Sequence, residues 1–179
     1  MGQPKQLLEI GGTTLIERTV AAALASPVWP VVVVVGEQGA AIRARLVRQP
    51  VLIADNPHWA AGMATSLRAG IETLRFFSRD ITGVIVALCD QPGFSAETIA
   101  ALLKAQSETG ADTVAARYAG RLGAPTLFMA KHFQMLRQLS GDQGARALIN
   151  ADPAAVGVDL PELAIDLDTP ADVSSYIRE

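Results

Sequence analysis

The sequence predicts an α/β fold: a doubly wound, mostly parallel sheet with helices on both faces. Three observations carry this. Short apolar runs rich in β-branched residues alternate with longer segments of helical periodicity. Several of those runs stop at an aspartate or a glycine, as strands do at the carboxyl edge of an open sheet. Half of the 179 residues are hydrophobic and 18% are charged, which supplies a large core and argues against disorder. A chain of this length fits one domain, residues 1–179.

The elements follow in order. Met1 to Gly12, with Gly2, Pro4, Gly11 and Gly12, is loop-like. Thr14-Leu15-Ile16-Glu17 has capping-box spacing, and the helix after it places Leu15, Ile16, Val20, Ala23 and Leu24 near one face before Pro27 closes it. Val31 to Val35 is a buried strand. A short helix over Ala40–Leu46 leads to a second strand, Val51–Ala54, ending at Asp55. Asn56 to Met63 is a loop, and a helix from Thr65 to Phe76 carries Leu67, Ile71 and Leu74 on one face. Val84 to Cys89 runs apolar without interruption between Gly83 and Pro92, the pattern of a strand buried on both faces, and it ends at Asp90. Ser95 caps a helix from Ala96 to Glu108 that Gly110 ends. Strands Thr113–Tyr118 and Pro125–Met129 flank a turn at Gly120 and Gly123. A helix over Lys131–Leu139, a tight loop Gly141-Asp142-Gln143-Gly144 and a short helix Ala145–Asn150 come next. Short strands are expected around Val156–Val158 and Ala164–Leu167. Thr169 and Pro170 then start a last helix reaching Ile177.

A net charge of -3 gives no general attraction for nucleic acid or an anionic membrane, and Arg43, Arg45 and Arg48 read as a solvated helix face. The apolar run Val20–Val35 is broken by Pro27 and Pro30 and falls short of the roughly 20 residues a membrane span needs. Gln, Lys and Glu near the N-terminus stand where a signal peptide would be apolar. Cys89, the one cysteine, excludes an intrachain disulfide, suits a reducing cytoplasm and reads as a small core thiol. Together with His58 and His132 it makes no zinc pattern.

The chemistry lies in the acids. Asp55, Asp90 and the pair Asp166 and Asp168 terminate apolar strands, whose ends converge on one edge of an open sheet. Two carboxylates in one crevice would share a magnesium ion, which takes hard oxygen ligands together with substrate phosphates. The same aspartates would also serve as plain caps of the turns that follow. Asp166 and Asp168, two apart along a strand, would share a face, and Asp168 also adjoins the Thr169-Pro170 helix start. Gly36-Glu37-Gln38-Gly39 with Asp55 beyond it hints at a dinucleotide fold, but the middle glycine is absent and an ordinary βα turn explains it equally. There is no P-loop and no G-x-S-x-G elbow. Lys5, in a loop stiffened by Gly2 and Pro4, is either a point charge for phosphate or a surface lysine.

Taken together the motifs resemble the molybdenum-cofactor nucleotidyltransferases. Met1-Gly2-Gln3-Pro4-Lys5-Gln6-Leu7-Leu8 is similar to the second half of their L-A-A-G-x-S-x-R-M-G-x-P-K-x-L-L signature. Gly62 to Leu67 resembles G-M-S-x-S-L, Asp90-Gln91-Pro92 matches D-x-P, and Gly123 to Phe128 resembles G-x-P-x-L-F. Gly141 to Arg146 matches G-D-x-G-A-R, and Asp166 to Pro170 matches D-x-D-T-P. Pro4-Lys5 and the Gly62-Met63 loop look more like the cytidylyltransferase branch than the guanylyltransferase branch.

The resemblance implies a Rossmann-like nucleotide-diphospho-sugar transferase fold and transfer of CMP from CTP to molybdopterin with release of pyrophosphate. In that picture Lys5 neutralises the triphosphate, and Asp90 with Asp168 or Asp166 holds Mg²⁺. Gly62, Met63, Thr65 and Ser66 lie against the nucleotide. Gly123, Pro125, Asp142 and Arg146 face the pterin, with Arg146 pairing an anion. The L-A-A-G-x-S-x-R half of the signature has no counterpart in the sequence, so the expectation is a domain without its first strand and glycine-rich loop, read from an internal methionine start and short of part of the turnover machinery. Two other functions stay open: a non-catalytic nucleotide- or pterin-binding accessory protein that hands cofactor to a molybdoenzyme, and a dinucleotide-binding oxidoreductase built on Gly36 to Asp55.

Overall fold

The computed structural model describes residues 4–142 and 144–178; Met1-Gly2-Gln3 of the first motif and Gln143 of G-D-x-G-A-R lie outside the described residues. Lys5–Leu7 form a single 3₁₀ turn, followed by a small hairpin of β1 (Glu9–Ile10) and β2 (Thr13–Thr14). α1 (Leu15–Leu24) starts in the expected capping box: Glu17 N donates to Thr14 Oγ1, and Thr14 N donates to Glu17 Oε2 at 2.9 Å. β3 (Val32–Val35), α2 (Gly39–Leu46) and β4 (Leu52–Asp55) follow, with the two strands paired in parallel. α3 (Met63–Phe77) leads to β5 (Gly83–Val86), and α4 (Ala96–Thr109) to β6 (Thr113–Tyr118). β7 (Arg121–Met129), α5 (Phe133–Gln138), α6 (Arg146–Ala151), β8 (Val156–Asp159) and α7 (Pro170–Tyr176) complete the order.

The larger sheet has the order β5-β7-β6-β8. β7 runs antiparallel to both neighbours and β8 is parallel to β6, so β5, β6 and β8 share one direction. The reversal of β7 comes from a tight turn at Ala119 and Gly120, both at positive φ, which folds the chain straight back on β6. Where the register jumps from Ala115↔Thr126 to Ala116↔Gly123, Ala124 and Pro125 bulge out of the ladder, a place that suits a residue without an N–H.

Helices cover both faces, as expected. Successive side chains of a strand point to opposite faces. On one face Ile71 and Leu74 of α3 share a cluster with Val32, Val84, Val86 and Phe128. On the other, Ile16 and Val20 of α1 meet Val33 and Val35, while Ala22 and Ala23 join Ile85 and Ala87. α1 and α3 thus hold the β3–β4 pair and the larger sheet in one layer. No helix among the described residues is long and apolar enough to cross a membrane.

Three expectations are corrected. β5 stops at Val86 rather than reaching Cys89, and all four of its residues are only half-buried. Among the described residues its one hydrogen-bonded strand neighbour is β7. Ala164–Leu167 is not a strand: Pro161–Ala164 form a 3₁₀ turn, and Leu167 N donates to Asp90 O at 2.8 Å instead of to a ladder. Asp166 and Asp168 therefore share no strand face; they flank Leu167, which is 1% exposed and points into the core. The expected helix over Lys131–Leu139 opens as a 3₁₀ turn, Ala130–His132, before α5 begins.

Candidate active site

After β5 the chain turns at Asp90-Gln91-Pro92-Gly93. Lys5 Nζ donates to Asp90 Oδ2 at 2.5 Å and to Asp168 Oδ1 at 2.9 Å, joining residues 85 and 163 positions apart. Asp90 is 8% exposed, and its other oxygen, Oδ1, is buried without a hydrogen-bond partner among the described residues. The turn is keyed to the segment carrying Asp168. Leu167 N donates to Asp90 O, and the buried Gln91 donates through Nε2 to Tyr118 Oη at 3.0 Å and to Leu163 O at 3.1 Å. At Gly93 a Cβ would stand 2.3 Å from Glu162 O, so only glycine permits this approach. These contacts fix Asp90 opposite Asp168.

The electrostatics follow from that packing. Partial burial alone would lower the Lys5 pKa, but the hydrogen bonds that the ammonium donates to Asp90 and Asp168, with the charges of the two carboxylates, outweigh it and hold it well above its ordinary value. Burial first, then the charges of Asp90 and Asp168, push the Asp166 carboxyl above its usual range, with Lys5 and Arg121 pulling the other way. Asp166 thus lies in the field of the other two carboxylates. Among the described residues no group of three or more His, Cys, Asp or Glu is arranged to hold a metal. The unpaired Asp90 Oδ1 beside Asp168 nevertheless fits a divalent ion of the kind that takes one or two carboxylates and draws its remaining ligands from substrate phosphates.

Cys89 lies beside this group, half-buried and outside the strand. Burial first, and the Asp90 charge second, push its thiol from 9.0 up to about 11. The folded pKa of this acid is raised, so its contribution to stability declines as pH rises from about 9 through about 11. Alkylation by iodoacetamide at pH 8 is expected to be at least about tenfold slower in the native protein than in denaturant, following the thiolate fraction; equal rates would contradict the burial.

A second group forms around the start of α3. Gly62 has φ +105°, Ala64 N donates to Gly141 O at 3.2 Å, and a Cβ on Gly144 would lie 2.9 Å from Met63 Sδ. Gly62 and Met63, expected at the nucleotide, are packed against Gly141, Asp142 and Gly144, expected on the pterin side. Thr65 and Ser66 use their hydroxyls internally: Asn56 Nδ2 donates to Thr65 Oγ1 at 2.8 Å and to Ser66 Oγ at 3.0 Å. Asn56, 4% exposed, is the residue that sequence reasoning missed. The signal was there, since it directly follows β4 at the strand edge where polar groups collect.

The predicted acceptor residues divide. A Cβ on Gly123 would stand 2.7 Å from Tyr118 Oη, so Gly123 makes room for the Tyr118–Gln91 bond and belongs to the Asp90 group. Pro125 is buried in the β7 bulge. Asp142, on the Gly62 side, and Arg146, at the first turn of α6, are exposed and make no ion pair among the described residues. No hydrogen bond among the described residues joins the two groups. The Gly36 turn is filled rather than open: a Cβ there would meet Trp59 Cβ at 2.8 Å, and Asp55 is paired with Arg43 at 2.5 Å. The arginine ridge is likewise engaged, with Arg45 bonded to Glu9 at 3.0 Å.

With the geometry in place, comparison with known proteins adds the following. The profile of the MobA-like NTP transferase domain matches residues 1–156. Nicotine blue oxidoreductase of Paenarthrobacter nicotinovorans is 31% identical over 159 residues, covering 84% of this chain and 74% of that protein. Rv0371c of Mycobacterium tuberculosis H37Rv is 25% identical, with a TM-score of 0.81 over 100% of this chain and 91% of its own. A second structure of Rv0371c, in complex with manganese, gives 0.79 at 24% identity over 99% and 94%. Molybdopterin-guanine dinucleotide biosynthesis protein A of Archaeoglobus fulgidus shares the fold, with a TM-score of 0.67 at 16% identity over 97% and 89%.

Proposed function

Because the chain belongs to the MobA-like NTP transferase domain family, we propose that it moves a nucleotidyl group from an NTP, with CTP as donor and molybdopterin as acceptor, in the cytoplasm. Its fold is the Rossmann-like nucleotide-diphospho-sugar transferase fold. The observation that carries the reading is Lys5 held between Asp90 and Asp168, with the buried Asp90 Oδ1 unpartnered among the described residues.

An oxygen of the acceptor phosphate attacks the α-phosphorus of the NTP, the bond from that phosphorus to the β-phosphate oxygen breaks, and pyrophosphate leaves. No covalent enzyme intermediate is required. A divalent ion, magnesium or manganese, on Asp90 and Asp168, with Asp166 alongside, would supply charge neutralisation on the triphosphate. Lys5, protonated throughout, supplies a fixed positive charge for phosphate oxygens. Gly62 and Met63 present backbone to the nucleotide, while Thr65 and Ser66 act through Asn56 to hold the start of α3. Gly123 acts through Tyr118 and Gln91 on the setting of Asp90. Pro125 shapes the bulge beside it. Exposed Arg146, with Asp142 nearby in sequence, is free to pair the acceptor phosphate. The choice of CTP rests on the Pro4-Lys5 and Gly62–Leu67 resemblances to the cytidylyltransferase branch.

The test is pyrophosphate release from each NTP in the presence of molybdopterin, with Mg²⁺, Mn²⁺ or EDTA. Release specific to CTP and abolished by EDTA is expected. CTP binding without release from any NTP would replace this reading with the accessory role, in which a molybdoenzyme is the partner. The Paenarthrobacter relative is named as an oxidoreductase, which favours one further test. The filled Gly36 turn and the paired Asp55 predict no NAD(P)H binding in a fluorescence titration, and saturable binding would revive the oxidoreductase reading.

A further inference from the structure

A cleft of about 350 Å³ lies between α3 and α5, lined by Arg68, Glu72, Arg75, Gln134, Arg137 and Gln138. Every lining residue is polar, and three arginines face one carboxylate in a chain whose net charge is -3. Arg68, Glu72 and Arg75 are spaced to stand on one face of α3. Arg68 is held in place: its Nε donates to Arg137 O at 3.0 Å and its Nη2 to Leu139 O at 3.2 Å. The single carboxylate is already engaged, since Arg137 Nη2 lies 3.3 Å from Glu72 Oε1. Arg137 Nε is inaccessible and has no hydrogen-bond partner, and Arg75 makes no ion pair among the described residues. Once Glu72 is set against Arg137, the charge of Arg68 and Arg75 remains, with the amide donors of Gln134 and Gln138 beside it.

We propose that this cleft is an anion site for the phosphoryl group of a small metabolite, separate from the Lys5–Asp90–Asp168 group. Guanidinium forks match phosphate oxygens in pairs, which a point charge does not, and the volume lies in the range of small-ligand pockets. The site has a route to the loops described above. The carbonyls that Arg68 holds are those of Arg137, in the last turn of α5, and of Leu139, just past it and two residues before Gly141, whose oxygen accepts from Ala64 at the start of α3. An anion that draws on Arg68 therefore acts on the segment that sets the Gly62–Gly141 junction. The inference is independent of the nucleotidyl-transfer reading.

Calorimetric titration with inorganic phosphate in metal-free buffer tests it, using the wild type, Arg75→Gln and Lys5→Met. Arg75 is exposed and makes no ion pair among the described residues, so Arg75→Gln should fold; Lys5→Met removes the ammonium that would take phosphate at the other site. The expected result is saturable binding by the wild type and by Lys5→Met, weakened about tenfold or more in Arg75→Gln, as loss of one charge-assisted contact implies. Binding that survives Arg75→Gln unchanged, disappears in Lys5→Met, or never saturates would overturn the proposal. Failure of NTP turnover would leave it standing.

Discussion

Asp90→Asn is expected to lower pyrophosphate release by roughly 10²–10³-fold, the range for removing one fixed electrostatic contact at a reacting phosphate or acyl group. The melting temperature should move little, because relief of the buried charge is offset by a weaker Lys5 contact. The two readouts separate because of how Asp90 is built into the protein. One oxygen is paired with Lys5; the other is buried with no partner among the described residues, and a buried unpaired carboxylate oxygen costs free energy. Asparagine keeps the shape, accepts from Lys5 and removes the buried charge. Lys5 keeps Asp168 as its counter-ion. The backbone bonds that hold the turn, from Leu167 N to Asp90 O and from the Gln91 side chain, do not involve the Asp90 carboxylate. Unchanged turnover would remove Asp90 from the chemistry, and a fall in both turnover and melting temperature would make it a structural residue.

How much of this was legible in the sequence depends on the range of the interaction concerned. Local chemistry read well. Thr14 with Glu17, Ser95 with Thr98 and Thr169 with Asp172 each close a helix N-terminus within one turn, and Gly110 ends α4 at φ +69°. The strand end at Asp55 was visible as an abrupt change of polarity, whereas β5 stops at Val86, four residues before the change at Asp90. What the pattern did not resolve is decided by partners far along the chain. Ala164–Leu167 alternates like a strand, yet Leu167 gives its N–H to the Asp90 carbonyl. Thr65 and Ser66 are expected against the nucleotide, and nothing in their own stretch shows that Asn56 donates to both hydroxyls. The family motifs set Lys5, Asp90 and Asp168 around one triphosphate, but not the direct pairing of the lysine with both aspartates, because nothing local in the first residues announces a partner 163 positions away. The Arg68–Arg137 cleft had no sequence signature, since its arginines sit on two helices brought together by tertiary packing.

Gly62→Ala is expected to carry the largest stability cost among glycine substitutions at the candidate site. Gly62 has φ +105° and ψ 171°, a region that L-residues avoid, at a cost of about 1–3 kcal/mol. Steric conflict adds to this. A Cβ would stand 2.4 Å from the carbonyl carbon and oxygen of Gly141 and 2.8 Å from Asp142 N. Those are backbone atoms of an opposing loop, with no flexible side chain to swing away, so the Gly62–Gly141 junction must open. Gly120→Ala separates the two causes, because Gly120 also has positive φ (+73°) but nothing lies within 4 Å of its would-be Cβ. For a chain of this size each kcal/mol moves the melting temperature by about 2–4 °C. Gly62→Ala should therefore lose about 5–10 °C, and Gly120→Ala only the smaller part due to strain. The junction is also where α3 begins, so nucleotide affinity should fall with Gly62→Ala and stay level with Gly120→Ala. Equal melting temperatures for the two variants would mean that the loops part without cost. Full nucleotide affinity in Gly62→Ala would take the junction out of the binding site, whatever the stability change.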